Sequence, residues 1–232
     1  MLDIHTHILP GMDDGSRCPE QSISMLKKEA DQGVNTVVLT PHYDARRESP
    51  ADFAQRRTAA EEQLLTALAK QSGMPDLLSG AEVAFFEGLS RVEDLDLLCI
   101  GNTHSMLIEM PFCAWNRRML GELEALQQIR GVKPILAHIE RYRAFQPAGM
   151  FEELSENGVW LQCNTSFFLR WQTSRLAMSM LRQRLVSFIA SDCHGLEYRP
   201  PNLGAAMEKI ERKLGREAMA FLQWNEEAIL GE

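Results

Sequence analysis

Two histidines one residue apart open the chain, in Asp3-Ile4-His5-Thr6-His7, and Asp13-Asp14-Gly15 follows soon after. The first run reads as a short strand over residues 2–7, whose period of two points His5 and His7 to one side. Two imidazoles side by side on a rigid element chelate a transition metal. The bland reading is a strand with two unrelated surface histidines. It is weakened by the composition, since the 232 residues contain only 6 histidines.

The remaining ligand-type residues fall in a regular way. His42 ends Thr40-Pro41-His42 and Glu82 ends Gly80-Ala81-Glu82. Glu109 closes one apolar run, His138 follows another, and Asp192 and His194 stand in Ser191-Asp192-Cys193-His194. Singly, each has an ordinary explanation as a rim carboxylate or a satisfied core histidine. Together, four carboxylates (Asp14, Glu82, Glu109, Asp192) and five imidazoles exceed what one ion needs. Nitrogen and oxygen donors without thiolate suit manganese, iron or zinc and do not choose among them. Three divalent ions would bring +6 against −4, a positive hole for a phosphate dianion. A water on such an ion has its pKa lowered to about 7 and yields a hydroxide nucleophile. His104 precedes an apolar run and reads as structural or surface.

These residues need elements to hold them. Apolar runs of strand length cover residues 2–5, 36–40, 77–83, 106–110, 134–137, 159–163 and 186–190, most of them continuous enough for strands buried on both faces. Helical patterns lie between them, over 19–31, 50–70 with Ser49 as N-cap and Pro50 at the first position, 117–129, 150–157, 174–184 and 203–223, the last broken near Gly215. The alternation predicts one α/β domain over 1–232 with about seven βα repeats, closing as a parallel barrel. An open doubly wound sheet is the alternative. In a barrel the ligand-type residues sit at the carboxyl ends of strands, where barrel enzymes build their sites.

Composition narrows the class. With 45% hydrophobic residues the chain can bury a full core. No basic and apolar leader precedes His5, and no apolar run reaches the ~18 residues of a membrane span. Five cysteines with no Cys-x-x-Cys pair predict free thiols in a reducing compartment. A net charge of −8 without a basic stripe argues against nucleic acid. A cytoplasmic enzyme without membrane insertion is expected, its oligomeric state left open.

On these motifs the sequence resembles the polymerase-and-histidinol-phosphatase (PHP) superfamily. Within it, the likeness is to the bacterial manganese-dependent protein-tyrosine phosphatases of capsule and exopolysaccharide operons. The residues that carry it run in order from Asp3 to His194 and include Leu107-Ile108-Glu109-Met110-Pro111, Ala137-His138-Ile139-Glu140-Arg141-Tyr142 and Gln162-Cys163-Asn164. The resemblance implies a distorted (β/α)7 barrel with three metal ions, most characteristically manganese. It implies one ion on His5, His7, Glu82 and Asp192, a second on Glu82, Glu109 and His138, and a third on Asp14, His42 and His194. Arg141 and Arg199 match arginines that face the phosphate. The implied partner is a phosphotyrosine protein, a tyrosine autokinase of polysaccharide synthesis. Thr6, Ile139, Cys193 and Gly195 depart from the family's usual residues without removing a ligand.

Rival readings remain at this point. Cys193-x5-Arg199 has the spacing of cysteine-dependent tyrosine phosphatases, yet the segment between holds one glycine and the carboxylate of Glu197, a poor phosphate cradle. A PHP-type phosphatase of a small phosphomonoester such as histidinol phosphate or a nucleotide is the alternative enzyme, and a metal-binding scaffold is the non-enzymatic one. The loops at 8–18 and 43–49 should frame the entrance, with Arg46 and Arg47 available to an acidic peptide.

Overall fold

The computed structural model describes residues 1–231. Its strands are β1 Leu2–Thr6, β2 Thr36–Leu39, β3 His42–Tyr43, β4 Asp76–Ser79, β5 Glu82–Ala84, β6 Ser105–Glu109, β7 Lys133–Leu136, β8 Trp160–Asn164 and β9 Phe188–Ala190. Every ladder between them is parallel, in the orders β1-β2-β4 and β3-β5-β6-β7-β8-β9. The two ends approach each other: Thr6 bridges Cys193, and the His7 amide donates to the Cys193 carbonyl at 2.9 Å. The result is an α/β fold with a curled parallel sheet.

Side-chain alternation explains the curl. Val37, Leu39, Met106, Ile108, Leu136, Leu161 and Ile189 join a core shared with the helices, whereas Val38, Leu107, Ile135, Ala137, Phe188 and Ala190 join a second, inner core with Leu2 and Ile4. Strands apolar on both faces bury one face under helices and fold the other onto itself. Continuing the inner parity beyond each apolar segment gives Glu109, Gln162, Asn164 and Asp192. The site is the polar cap of the inner core.

The helices are α1 Pro19–Ala30, α2 Pro50–Leu68, α3 Arg117–Arg130, α4 Met150–Glu156, α5 Thr165–Leu169, α6 Trp171–Arg182, α7 Leu203–Leu214 and α8 Arg216–Leu230. Ser49 caps α2 by accepting from the Asp52 amide, and Gly215 separates α7 from α8, as the sequence predicts. Three expectations need correction. The run 77–83 is broken into β4 and β5, because Gly80 and Ala81 lie between two ladders. The helix expected from 174 starts at Trp171, directly after the short helix α5, which periodicity had missed. Strict alternation in β1 fails at a bulge between Asp3 and Thr6. His5 and His7 still share a side, but Asp3 turns to the Ser191 amide and to Glu29 of α1.

Candidate metal centre

The nine predicted ligand residues converge at the carboxyl ends of the strands. The Nε2 atoms of His5 and His7 lie 3.2 Å apart. Each is 3.2 Å from Glu82 Oε2, and they lie 3.4 and 3.5 Å from Asp192 Oδ1. His42 Nδ1 approaches the same Glu82 oxygen at 3.0 Å. The other oxygen, Glu82 Oε1, is 2.9 Å from His138 Nε2, which in turn is 3.4 Å from Glu109 Oε1. Asp14 Oδ1 lies 3.6 Å from His42 Nε2 and 3.4 Å from His194 Nε2. Glu82 is the hub, with imidazoles on both oxygens.

Neighbouring groups fix the rings. His7 Nδ1 meets Asp13 Oδ2 at 2.7 Å, His5 Nδ1 meets Gln162 Oε1 at 3.3 Å, and His138 Nδ1 meets the Tyr142 hydroxyl at 3.2 Å. His194 Nδ1 lies 3.0 Å from the Asp192 carbonyl. An Nδ1–H donated outward would leave each Nε2 lone pair turned to the centre, the tautomer a metal ligand needs. The aspartate pair after β1 therefore divides its work: Asp14 faces the cluster, and Asp13 holds His7 while also accepting from the His42 and Gly15 amides. Gly15 is required by close approach, since a Cβ there would lie 2.1 Å from the His7 carbonyl oxygen. His138, Asp192 and Arg199 adopt left-handed φ of 35°, 51° and 51°, which concentrates backbone strain at the site.

The electrostatics ask for cations. Burial would push the Glu82 carboxyl up, but the His5 charge and hydrogen bonds from His138, His42 and His5 hold it well below the carboxylate range. Asp192 is likewise held low against burial, by His5 and His7. In return, burial disfavours the charged form of His138, yet Glu109 and Glu82 carry its pKa to about 9. His7 rises well above the usual value against its burial, through Asp13, Asp192 and Glu82. His194, buried and facing His7 and Arg199, falls to about 4. Buried carboxylates that stay ionised must have cations beside them. Protons on histidine serve here, and a divalent ion would serve the same oxygens, so the donor set fits metal. Three compact groups stand out: His5, His7, Asp192; His7, Asp14, His42, His194; and His42, Glu82, Glu109.

Arg141 and Arg199 flank this cluster. Arg141 Nη2 lies 2.5 Å from Asp192 Oδ2, and Arg199 Nη2 pairs with the same oxygen. Arg199 Nη1 also reaches His194 Nε2 at 3.0 Å. Asn164 Nδ2 donates to Asp192 Oδ2 at 2.7 Å, and Gln162 Nε2 holds Asn164. Tyr142, Gln162 and Asn164 were quoted only as motif residues; the signal for Gln162 and Asn164 was two polar residues at alternate positions of a buried strand. His104 is exposed, as expected. Cys193 is no nucleophile: its thiol is buried, 3.9 Å from Glu29 Oε1, and burial with Glu29 and Asp3 raises its pKa well above that of a free thiol. Arg46 and Arg47 are exposed on their loop, where Asp44 accepts from Arg46 Nε and Nη2 and lies 3.8 Å from Arg47 Nε.

Known proteins match this arrangement along its whole length. The family described as capsular polysaccharide synthesis, CpsB/CapC, matches residues 1–230. The chain belongs to the CpsB/CapC family. Tyrosine-protein phosphatase YwqE of Bacillus subtilis is 29% identical over 99% of this chain and 91% of its own. Tyrosine-protein phosphatase CpsB of Streptococcus pneumoniae is 30% identical over 93% and 91%. A crystal structure from work on these two, described as unique metal-dependent tyrosine phosphatases, superposes with a TM-score of 0.86 at 28% identity, covering 99% of this chain and 94% of that one. The PHP-type resemblance drawn from the motifs is borne out for this CpsB/CapC chain. Among the described residues no helix is long and apolar enough to cross a membrane.

Proposed function

We propose that this chain is a metal-dependent protein-tyrosine phosphatase of capsule or exopolysaccharide synthesis, with three divalent ions, manganese foremost, at its centre. The observation that carries the reading is the convergence of nine nitrogen and oxygen ligands beside two arginines, in a chain whose relatives are named tyrosine-protein phosphatases. The ligands are His5, His7, Asp14, His42, Glu82, Glu109, His138, Asp192 and His194. We read residues 1–232 as one PHP-type domain, with a distorted (β/α)7 barrel in which β2/β3 and β4/β5 each count as one interrupted strand. Its place is the cytoplasm, and its partner is a tyrosine autokinase.

Bound ions would supply positive charge for the phosphoryl oxygens and an activated water at neutral pH. The protein's own part is positioning. Arg141 and Arg199 present guanidinium groups that can grip phosphate bidentately, and Asp192 with Asn164 fixes where they stand. Asp13, Gln162 and Tyr142 keep His7, His5 and His138 turned inward. With Asp192 Oδ2 shared between the two arginines, an arriving phosphate competes for donors already aimed at its site. Charge that develops on the phosphoryl oxygens is then met by guanidinium groups that already stand beside it.

The deciding experiment compares kcat/KM for phosphotyrosine peptides, phosphoserine peptides and histidinol phosphate on the manganese-loaded enzyme, with chelator as control. Phosphotyrosine should lead. A tenfold advantage for histidinol phosphate or a nucleotide, about 1.4 kcal/mol of transition-state preference, would overturn the protein-tyrosine assignment while leaving the metal chemistry in place.

A further inference from the structure

A groove of about 830 Å³ is lined by Arg141, Arg199, Asn164, Thr165, Arg170 and Tyr198 among others. A second groove of about 590 Å³ is lined by Asp14, His194, Arg17 and Glu20 among others. Tyr198, 79% exposed, lines both grooves together with Glu197. Their charges differ. The first holds Arg141, Arg170 and Arg199 against Glu140 and Glu197, and the second holds Arg17 against Asp14, Glu20 and Glu197.

Within the basic channel two arginines are already committed to Asp192, at the inner end. Arg170 is exposed, and among the described residues no carboxylate pairs with it. It stands where α5 meets α6, and α6 carries no acidic residue in its first turn to neutralise it. The whole protein is acidic, at −8. Screening over ~8 Å at physiological salt means that a substrate segment in this channel senses the charges lining it, Arg170 among them, rather than the distant acidic surface.

We propose that this channel carries the polypeptide on one side of the phosphotyrosine, and that Arg170 reads an aspartate or glutamate side chain of that segment. This rests on the phosphotyrosine-protein reading above and adds the substrate class: phosphotyrosines with acidic neighbours.

The test uses full-length, manganese-loaded protein and phosphotyrosine peptides of one sequence carrying Glu, Gln or Lys at the positions flanking the phosphotyrosine. The readout is the ratio of kcat/KM between peptides, with circular dichroism to confirm folding. Wild type should favour the Glu peptide over the Gln peptide by roughly threefold to fivefold, the upper range for an exposed ion pair. The difference should lie mainly in KM, because the contact is alike in ground and transition states. In Arg170→Ala the ratio should fall to about one, and in Arg170→Glu it should turn towards the Lys peptide. Raised salt should shrink the wild-type preference. A wild-type ratio near one, or a preference that survives in Arg170→Ala, overturns the proposal. Failure of every phosphotyrosine peptide alongside good turnover of histidinol phosphate would instead strike the function reading beneath it.

Discussion

Glu82 and Glu29 are both buried glutamates, 1% and 0% exposed, yet their surroundings hold them in opposite charge states. Glu82 has His5, His7, His42 and His138 around it and stays ionised despite burial. Glu29 of α1 lies behind β1, where burial and the neighbouring Asp3 carboxyl raise its pKa to about 9. Its Oε2 atom is buried without a hydrogen-bond partner. Asp3 is itself raised by burial, to about 6, though the Ser191 and His5 amides and the Ser191 side chain restrain it. At neutral pH one proton therefore stays on Glu29, while Asp3 beside it is largely ionised and accepts from the Ser191 amide. Burial alone decides nothing; the cationic partners do. The front cluster is a built demand for cations, and the rear pair meets its burial by keeping a proton on Glu29 instead.

The largest effect should come from removing charge at the front. Asp192→Asn keeps the shape but gives up the anion that His5, His7, Arg141 and Arg199 all face. Turnover of p-nitrophenyl phosphate should fall by at least about two orders of magnitude, and bound metal measured by elemental analysis should drop with it. Near wild-type turnover would mean that the front cluster is an ordinary buried ion network, and the contrast with Glu29 would lose its functional content.

The front of the molecule was readable from the chain and the rear was not, for a physical reason. Ligands must be histidine or carboxylate, and strands deliver them at predictable places, so Glu82, Glu109, His138 and Asp192 stood out at the ends of apolar runs. Asp13, Gln162 and Asn164 act through other side chains, and their types are common at any strand end. Glu29 was hard to place, because a glutamate near the end of an amphipathic helix normally faces water. It lies on the buried face of α1 with Ser22, Met25 and Leu26, and there it meets Asp3. The break of one apolar run into β4 and β5 was hidden for a similar reason, since the ladder partners that divide it lie far away in sequence. The charge asymmetry of the two channels depends on where α5 meets α6, and that junction is set by packing.

A middle-sized effect belongs to Glu29, and it appears in stability. Its pKa is about 9 in the folded protein and near 4.5 in the unfolded chain, so the folded state holds the extra proton between these values. The stability it contributes is complete below about 4.5 and is lost as pH rises through about 9. Glu29→Gln cannot ionise and should escape that loss. Thermal melts should show little difference at pH 5 and a variant more stable by about 5 °C at pH 9. An equal shift at both values would show that Glu29 is charged at neutral pH, and the two glutamates would then be alike.

The smallest effect should come from Cys193, which sits between two ligands and yet belongs to the rear. Its backbone serves the front, because its carbonyl accepts the His7 amide at 2.9 Å and its own amide donates to Ser191 Oγ at 3.2 Å. Its side chain faces Glu29. Cys193→Ser leaves the backbone bonds in place and replaces a weak sulfur donor with a hydroxyl beside a carboxyl whose Oε2 lacks a partner. The loss of buried sulfur and the gain of a better donor oppose each other, so turnover should stay within about threefold of wild type. Alkylation sharpens the point. Exposed Cys18 and Cys113 should take up iodoacetamide while Cys193 does not, because its thiol is buried and its pKa is raised. Peptide mapping alongside the rate would decide it. A stoichiometric Cys193 adduct that tracks the loss of turnover would move this residue to the front cluster and restore the thiol mechanism that its spacing to Arg199 suggests.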